Sequence, residues 1–203
     1  MGRHLDLLLS APHPAVRERL LTAAVSLGVP GIQPRLLAAL NDSARRVRQV
    51  AQFYLGRDSA EDVTARYLEQ IPRSSGKRLL AALEGLGEVS TADHGHIALP
   101  FISSNHPVPV RVAALGLWAR SSGAASSTLP AELLRDASPA MVKATAYLVR
   151  RKTVSVSTEA LERLALTAPA PHVSRAALRL LLTRGKWTRL RWALWSLEDP
   201  HRP

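Results

Sequence analysis

Two stretches of this chain follow the same order of residues: Asn41–Ala51, NDSARRVRQVA, and Arg135–Ala146, RDASPAMVKATA. In each, a polar turn with an aspartate leads to a valine, a basic residue and, three residues later, an alanine. Apolar residues at this spacing lie on one face of an α-helix. The repetition predicts that the chain is built from copies of one helical unit.

Six segments of the chain align on such a basic residue, which we call the register residue. The register residues are Arg17, Arg48, Arg78, Arg111, Lys143 and Arg175, at spacings of 31, 30, 33, 32 and 32. An alanine or leucine follows three residues later in all six segments. Three prolines stand four residues before a register residue, where the first turn of a helix tolerates proline: Pro107, Pro139 and Pro171. Four glycines are expected to end the register helices: Gly28, Gly56, Gly87 and Gly185.

Shorter amphipathic segments lie between the register helices. They are Pro34–Leu40, Glu61–Leu68, Pro130–Arg135 and Thr158–Leu166. Each period therefore holds a first helix, a turn and a second helix, and no alternating strand pattern competes. A single helix pair cannot bury its apolar face alone, so neighbours must stack. The pattern predicts an all-α chain, an α-solenoid of six to seven helix pairs that forms one domain over residues 1–203.

The two quoted stretches resemble HEAT repeats, and the period of about 31 residues resembles the short repeats of phycobilin-lyase-type HEAT proteins. The resemblance covers nearly the whole chain. It implies an armadillo-like superhelix in which each register residue bonds to the loop acid of a neighbouring repeat. It implies little about function, because HEAT motifs serve many functions.

The chain carries a large positive charge. Lys and Arg number 27 and Asp and Glu 16, which gives a net charge of +11. Such a charge favours an anionic partner, although solubility alone also explains it. Cysteine is absent. The N-terminal apolar run is too short for a signal peptide and is interrupted by Asp6, and no apolar stretch is long enough to span a bilayer. We expect a cytoplasmic protein without a membrane partner.

No motif for catalysis, metal binding or a cofactor stands out. Asp93-His94-Gly95-His96 is the nearest to a metal cluster, but its two histidines are two residues apart and do not share a helix face. Ser75–Arg78 lacks most of a P-loop. The HEAT-like alkylpurine DNA glycosylases use an aspartate and aromatic residues in a cleft, and Trp118 has no aspartate within the next turn. We expect no enzyme, no cofactor and no metal.

A second basic set lies nine residues after the register position, at the C-terminal ends of the register helices. Together with neighbouring cations it consists of Arg57, Arg120, Arg150, Arg151, Lys152, Arg184 and Lys186. Cations at these ends offset the helix dipole. The alternative is a basic edge that binds phosphates or an acidic segment.

Apolar residues form the other candidate surface. On the register helices, Phe53, Leu83, Leu148 and Leu180 stand five residues after the register position and predict an apolar face suited to a helix or peptide in a groove. On the last helix, Lys186–Leu197, one stripe holds Trp187, Leu190, Leu194 and Leu197. Trp192 lies nearly opposite this stripe, and Trp195 lies beside the stripe. This helix predicts a longer parent chain, an oligomer contact or a docked partner, unless its tryptophans only cover the core.

These surfaces lead to one expectation about function and two alternatives. We expect a non-enzymatic scaffold for protein–protein interaction whose partner is an acidic or helical protein segment. The first alternative is a basic module that contacts the phosphate backbone of nucleic acid. The second is a HEAT-like DNA glycosylase.

Overall fold

The computed structural model describes residues 9–58, 62–90, 92–121 and 127–197. These residues are all-α, and no strand occurs among them. The predicted all-α class is therefore confirmed. The N-terminal run before Leu9 and the turn predicted after Leu197 lie outside the described residues. The chain divides into two compact units, which we call unit 1, up to Thr91, and unit 2, from Ala92. The single domain over residues 1–203 stays a prediction.

The residues of unit 1 from Pro14 onward, as far as the structure describes them, form five α-helices that alternate in length. The three long ones are α1 (Pro14–Ser26), α3 (Arg45–Asp58) and α5 (Gly76–Val89). The two short ones are α2 (Gln33–Ala39) and α4 (Val63–Gln70), the latter followed by a 3₁₀ turn over Ile71–Arg73. Each long helix packs on the next long helix and on the short helix before it. This alternation is the predicted order of first and second helices.

Unit 2 continues the alternation, with one exception. It opens with a 3₁₀ segment, Ala92–Ile102, in the place of a short α-helix. The elements that follow are α6 (Val108–Trp118), α7 (Leu129–Leu133), α8 (Pro139–Arg150), α9 (Thr158–Thr167), α10 (Pro171–Leu181) and α11 (Lys186–Leu197). Pro100 lies inside the 3₁₀ segment and cannot donate a backbone hydrogen bond, which disfavours an α-helix there.

The six register residues all lie within the first five residues of a long helix. The predicted frame is therefore confirmed in every period. Pro139 and Pro171 each begin a helix, where the missing N–H is not needed. Pro107 holds the same place in its frame, but α6 begins one residue later, so that Pro107 is the residue before the helix.

The expected helix ends are only partly confirmed. Gly28 follows α1 with φ 62°, and the backbone N–H of Val29 donates to the carbonyl of Ala24 at 3.0 Å. Gly56 and Gly87, however, lie inside α3 and α5, so the prediction was wrong for both. One glycine in a helix costs only about 1 kcal/mol, which the packing of the surrounding turns outweighs.

Candidate partner-binding groove

The register residue acts as a fastener between repeats at two places where the next loop offers an aspartate. The guanidinium of Arg17 donates to both carboxylate oxygens of Asp42, at 2.8 and 2.7 Å. Arg111 makes the same two-pronged contact with Asp136 and also donates to the carbonyl of Ile102 at 2.9 Å. Such planar, bidentate pairing is specific to arginine. It confirms the contact that the HEAT resemblance implies at these two positions.

The two aspartates also shape their own turns. Asp42 accepts from the backbone N–H of Ala44 and Asp136 from that of Ser138, each at 2.8 Å. Burial raises the pKa of Asp42, but the hydrogen bonds from Arg17 and Ala44 outweigh it and the pKa falls below its usual value. The pKa of Asp136 is lowered by the same balance of burial against hydrogen bonds. Both carboxylates are therefore charged at neutral pH.

Arg48 is fastened differently, because no loop acid precedes the next register residue. Its side chain is 2 % exposed, donates to Glu88 at 2.6 Å and forms an ion pair with Glu84 at 2.9 Å, both on α5. Gln52 joins the cluster through Glu88 at 2.9 Å and the hydroxyl of Tyr67 at 3.2 Å.

Tyr67 closes the space between α3 and α5. Its hydroxyl donates to the carbonyl of Leu40 at 3.1 Å, and burial raises its pKa to about 12. A Cβ atom at Gly85 would lie 2.3 Å from Cζ of Tyr67. The absence of a side chain at Gly85 is therefore what admits the ring.

The remaining register residues are exposed, and no hydrogen bond or ion pair joins them to any described residue. They are Arg78, Lys143 and Arg175. The loop-acid contact implied by the HEAT resemblance is thus found at two of the six register positions in the described part of the chain. At Arg48 the acids lie on the next long helix instead. For Lys143 the reason can be read in the next turn, Ala168-Pro169-Ala170, which has no acid where Asp42 and Asp136 stand in their turns.

Lys143 lies instead in an open groove between α6 and α8. The cavity has a volume of about 820 Å³. Seven apolar or small residues form its floor: Val112, Leu115, Gly116, Ala119, Ala140, Ala144 and Leu148. On each helix the lining residues recur at intervals of three and four, which is one continuous helix face. Leu148, one of the residues predicted on an apolar face five residues after the register position, lies in this groove.

The rim of the groove is cationic. Arg120, Lys143 and Arg151 are all exposed and line the cavity, together with Tyr147 and Thr153. None of the described lining residues is acidic. A concave apolar floor with cations at its rim attracts a segment that is itself both apolar and anionic.

The predicted basic edge is dispersed. Arg57 belongs to unit 1, where its guanidinium lies 5.2 Å from the ring centroids of Phe53 and Tyr54. Arg184 is half-buried and donates to the carbonyl of Val156 at 2.6 Å, so it fastens the α8–α9 loop rather than forming an open edge. The other predicted members lie in unit 2 and are exposed: Arg120, Arg150, Arg151, Lys152 and Lys186. Of these, Arg120 and Arg151 line the groove.

Several of the predicted apolar contact residues prove to be buried. Leu83 and Leu180 lie in the core, so their assignment to an open face was wrong. At Leu83 and Leu180 the register helix is covered by neighbouring residues on the face that the sequence pattern predicted to be open. Phe53 is exposed as expected, and Leu148 is half-buried in the groove.

The last helix, α11, has two apolar sides, of which one is buried and the other is exposed. Trp192 is 5 % exposed and meets Trp195 edge-to-face, with the ring centroids 5.1 Å apart. Trp192 was therefore wrongly expected at a contact surface, and the covering role proposed for the tryptophans holds at this position. The opposite stripe is open, with Trp187 76 % and Leu194 54 % exposed. Trp195 is half-buried.

Two further observations concern chemistry and membranes. Among the described residues, no three His, Cys, Asp or Glu side chains lie close enough together to hold a metal ion. His94 and His96 lie on the 3₁₀ segment, and the side chain of Asp93 is outside the described part. No helix in the described ranges is long and apolar enough to cross a membrane.

Three of the groove residues, Lys143, Gly116 and Tyr147, were not predicted from the sequence. Lys143 was counted with the fasteners, although the turn of the following repeat lacks the acid that a fastener needs. Comparing each register residue with the turn of the next repeat would have found it. Gly116 had a weaker signal, a glycine inside a helical pattern.

Comparison of the chain with protein-family models, with curated proteins and with solved structures gives no match in any of the three.

Proposed function

We propose that this chain is a non-enzymatic scaffold of HEAT type that binds a segment of another protein in the groove between α6 and α8. The observation that carries the proposal is the groove itself, an open apolar channel of about 820 Å³. Apolar concave surfaces left open to solvent are typical of binding sites for protein segments.

Support for the HEAT-type solenoid comes from the repeat frame. The register residues begin successive long helices, and two of them bind the aspartate of the next loop, through the Arg17–Asp42 and Arg111–Asp136 pairs. Each long helix packs on the next within its unit. Stacked helix pairs of this kind bury a continuous core and leave one row of helices free for binding.

The floor of the groove favours a protein partner over a nucleic-acid duplex. Burying apolar surface contributes about 25 cal/mol per Å², and a phosphate backbone offers no apolar surface to bury against the half-buried Val112 or Leu148. A helix or extended peptide offers such surface.

One observation favours nucleic acid as a second candidate. Arg150, Arg151 and Lys152 are three consecutive exposed cations at the C-terminal end of α8. Lys152 holds φ 59°, a conformation that L-residues rarely adopt. Exposed cations in a row contact phosphates without base specificity.

A groove-blocking variant tests the proposal. Ala144→Trp places an indole on the groove floor, and Ala23→Trp on the exposed side of α1 is the matched control. Tagged wild type and both variants are incubated with nuclease-treated lysate of the native source, and bound proteins are quantified by mass spectrometry. We expect at least one protein to be recovered about tenfold less by Ala144→Trp, a change of 1.4 kcal/mol in binding, and normally by Ala23→Trp.

Equal recovery by all three proteins would contradict the groove as the binding surface. If wild type recovers proteins from untreated lysate but none from nuclease-treated lysate, nucleic acid becomes the better candidate. In that case binding of duplex DNA should weaken with salt, with a slope in log K against log salt of about −0.9 per phosphate contacted.

A further inference from the structure

The groove carries a charge arrangement that narrows its partner beyond the proposed function on which this inference rests. Three cations, Arg120, Lys143 and Arg151, line the cavity, and no acid accompanies them among the described lining residues. A neutral apolar segment would leave these cations without a partner. A segment with acids on its flanks would pair with them while filling the floor.

Lys143 is available for such pairing because the solenoid frame leaves it unused. Arg17 and Arg111 at the same register bind an aspartate six or seven residues before the next register residue. Before Arg175 those places hold Ala168 and Pro169. The positions that supply Glu84 and Glu88 to Arg48 are likewise changed, to Leu181 at the end of α10 and to Gly185 beyond it.

The depth of the groove admits a helix. Both sides of the groove floor contain small residues. These are Gly116 and Ala119 at the C-terminal end of α6, and Ala140 and Ala144 on α8. A Cβ atom added at Gly116 would meet nothing within 4 Å, so the space above it is empty. Small side chains on both walls allow a third helix to approach at the ordinary interaxial distance of about 8–10 Å.

The groove gives the length of the partner helix, and the positions of its cations give the spacing between the acidic residues of that helix. The groove face of α8 runs from Ala140 to Arg151, which is about 17 Å at 1.5 Å per residue. A helix of about three turns spans that distance. Lys143 and Arg151 are separated along the axis by about 12 Å, which corresponds to seven or eight residues on a partner helix. Residues seven apart share one face of a helix.

Charge argues against a second copy of this chain as the occupant. The exposed apolar stripe of α11, which contains Trp187 and Leu194, is the helix face that could fill the groove of another molecule. It is accompanied by the exposed Lys186 and Arg189, and by Arg191, which pairs with Glu162 of α9. Placing that helix in the groove would bring these cations against those of the rim.

From these observations we infer that the groove between α6 and α8 selects an acidic amphipathic helix of about three turns from a different protein. One Asp or Glu of that helix pairs with Lys143. A second, seven or eight residues away, pairs with Arg151, with Arg120 on the facing wall.

A displayed peptide library tests this inference. The probe is a set of helical peptides of about fourteen residues. They carry a fixed Leu/Ala face, and their flanking positions vary among Asp, Glu, Lys, Arg and Gln. Selection is run on the full-length wild type, on Ala144→Trp and on Ala23→Trp. Groove-dependent peptides are those retained by wild type and Ala23→Trp but lost on Ala144→Trp. We expect them to be enriched in Asp or Glu at two positions seven or eight residues apart.

Charge reversal then assigns each position. Lys143→Glu should switch the preference at one of the two positions to Lys or Arg and leave the other unchanged, and Arg151→Glu should do the converse. Both side chains are exposed, so both variants should keep the helical circular dichroism of the wild type. A selected acidic peptide should bind Lys143→Glu at least about tenfold more weakly than wild type.

The outcomes separate this inference from the proposed function. Groove-dependent peptides with no acidic preference would overturn the inference and leave the groove as a protein-binding surface. If no peptide depends on the groove, the inference and the groove-based function both fail. An acidic preference that Lys143→Glu and Arg151→Glu leave unchanged would also overturn the inference, because the selecting cations would lie elsewhere.

Discussion

Arg48 in unit 1 and Lys143 in unit 2 occupy the same register position and have opposite environments. Arg48 is buried and binds Glu84 and Glu88 of the next long helix. Lys143 is exposed in a groove, and the next repeat has leucine and glycine, Leu181 and Gly185, at the corresponding places. The comparison shows that a register cation fastens the repeat only when the next repeat supplies an acid. Without that acid, the same position presents a charge to solvent.

Two glycines inside long helices make the same contrast in packing. Gly85 on α5 receives the ring of Tyr67, whereas the space above Gly116 on α6 is empty. Tyr67 comes from the short helix α4 and fills the interval between two long helices in unit 1. In unit 2 the interval between α6 and α8 is left open, and this opening is the proposed binding groove.

The largest expected effect is the loss of the Arg48 fastener. Arg48→Met should lower the free energy of unfolding by about 3–5 kcal/mol, because it removes the buried cation of the nearly buried Glu88 carboxylate and leaves only the exposed Arg45, 3.8 Å away. Lys143→Met should change it by less than about 0.5 kcal/mol, as for other surface substitutions. Urea unfolding of both variants, followed by circular dichroism, measures the difference. Similar losses in the two variants would contradict the distinction between a fastener and a free register residue.

The two glycines should respond to alanine with opposite signs. Gly85→Ala should cost about 3 kcal/mol, because the added Cβ overlaps the buried ring of Tyr67. Gly116→Ala should stabilise the protein by about 0.5–1 kcal/mol, since alanine restricts the unfolded chain and meets no neighbour. Thermal unfolding midpoints report both changes. A destabilising Gly116→Ala would show that the groove is closed in solution.

The aspartate fasteners should make stability depend on acid pH. The folded pKa of Asp42 is lowered, so its contribution is present above the unfolded pKa of about 3.9 and is lost as pH falls through the folded value. Asp42→Asn should lower the free energy of unfolding by about 2 kcal/mol at pH 7, because the hydrogen bonds to the charged Arg17 are weakened. The loss should be smaller at pH 3, where the contribution of the Asp42 charge is already reduced in the wild type. Urea unfolding at the two pH values checks this. An equal cost at both would mean that the charge of Asp42 is not what stabilises the fold.

The smallest effect concerns the ends of two long helices. Gly28 after α1 and Lys152 after α8 hold the same left-handed conformation, with φ 62° and 59°. Lys152→Gly should therefore stabilise the protein by about 1 kcal/mol, and Gly28→Lys should destabilise it by a similar amount. Thermal unfolding again provides the measurement. If Lys152→Gly lowers the unfolding midpoint, the lysine side chain itself must stabilise the end of α8.

Much of the helical framework was predictable because it depends on short-range pattern. Three patterns predict helices that the structure contains. They are the basic residues at intervals of about 31, the prolines Pro139 and Pro171 at the start of a helix, and the amphipathic segment Thr158–Thr167. The ends of α3 and α5 were not predictable from Gly56 and Gly87, because packing outweighs the small local cost of a glycine. The candidate groove was predictable only in part: Leu148 was found, but Lys143 was assigned to the wrong role.

The sequence by itself determined the all-α class, the positions of the long helices and the register residue at the start of each one. These follow from spacing within one helix, where each residue's face is fixed by the 3.6-residue turn. The tertiary structure decided which register residues are fasteners, that Leu83, Leu180 and Trp192 are buried, and that the interval between α6 and α8 stays open. Those outcomes depend on which side chains a neighbouring helix brings into contact, such as Tyr67 against Gly85, and helical periodicity carries no information about that neighbour.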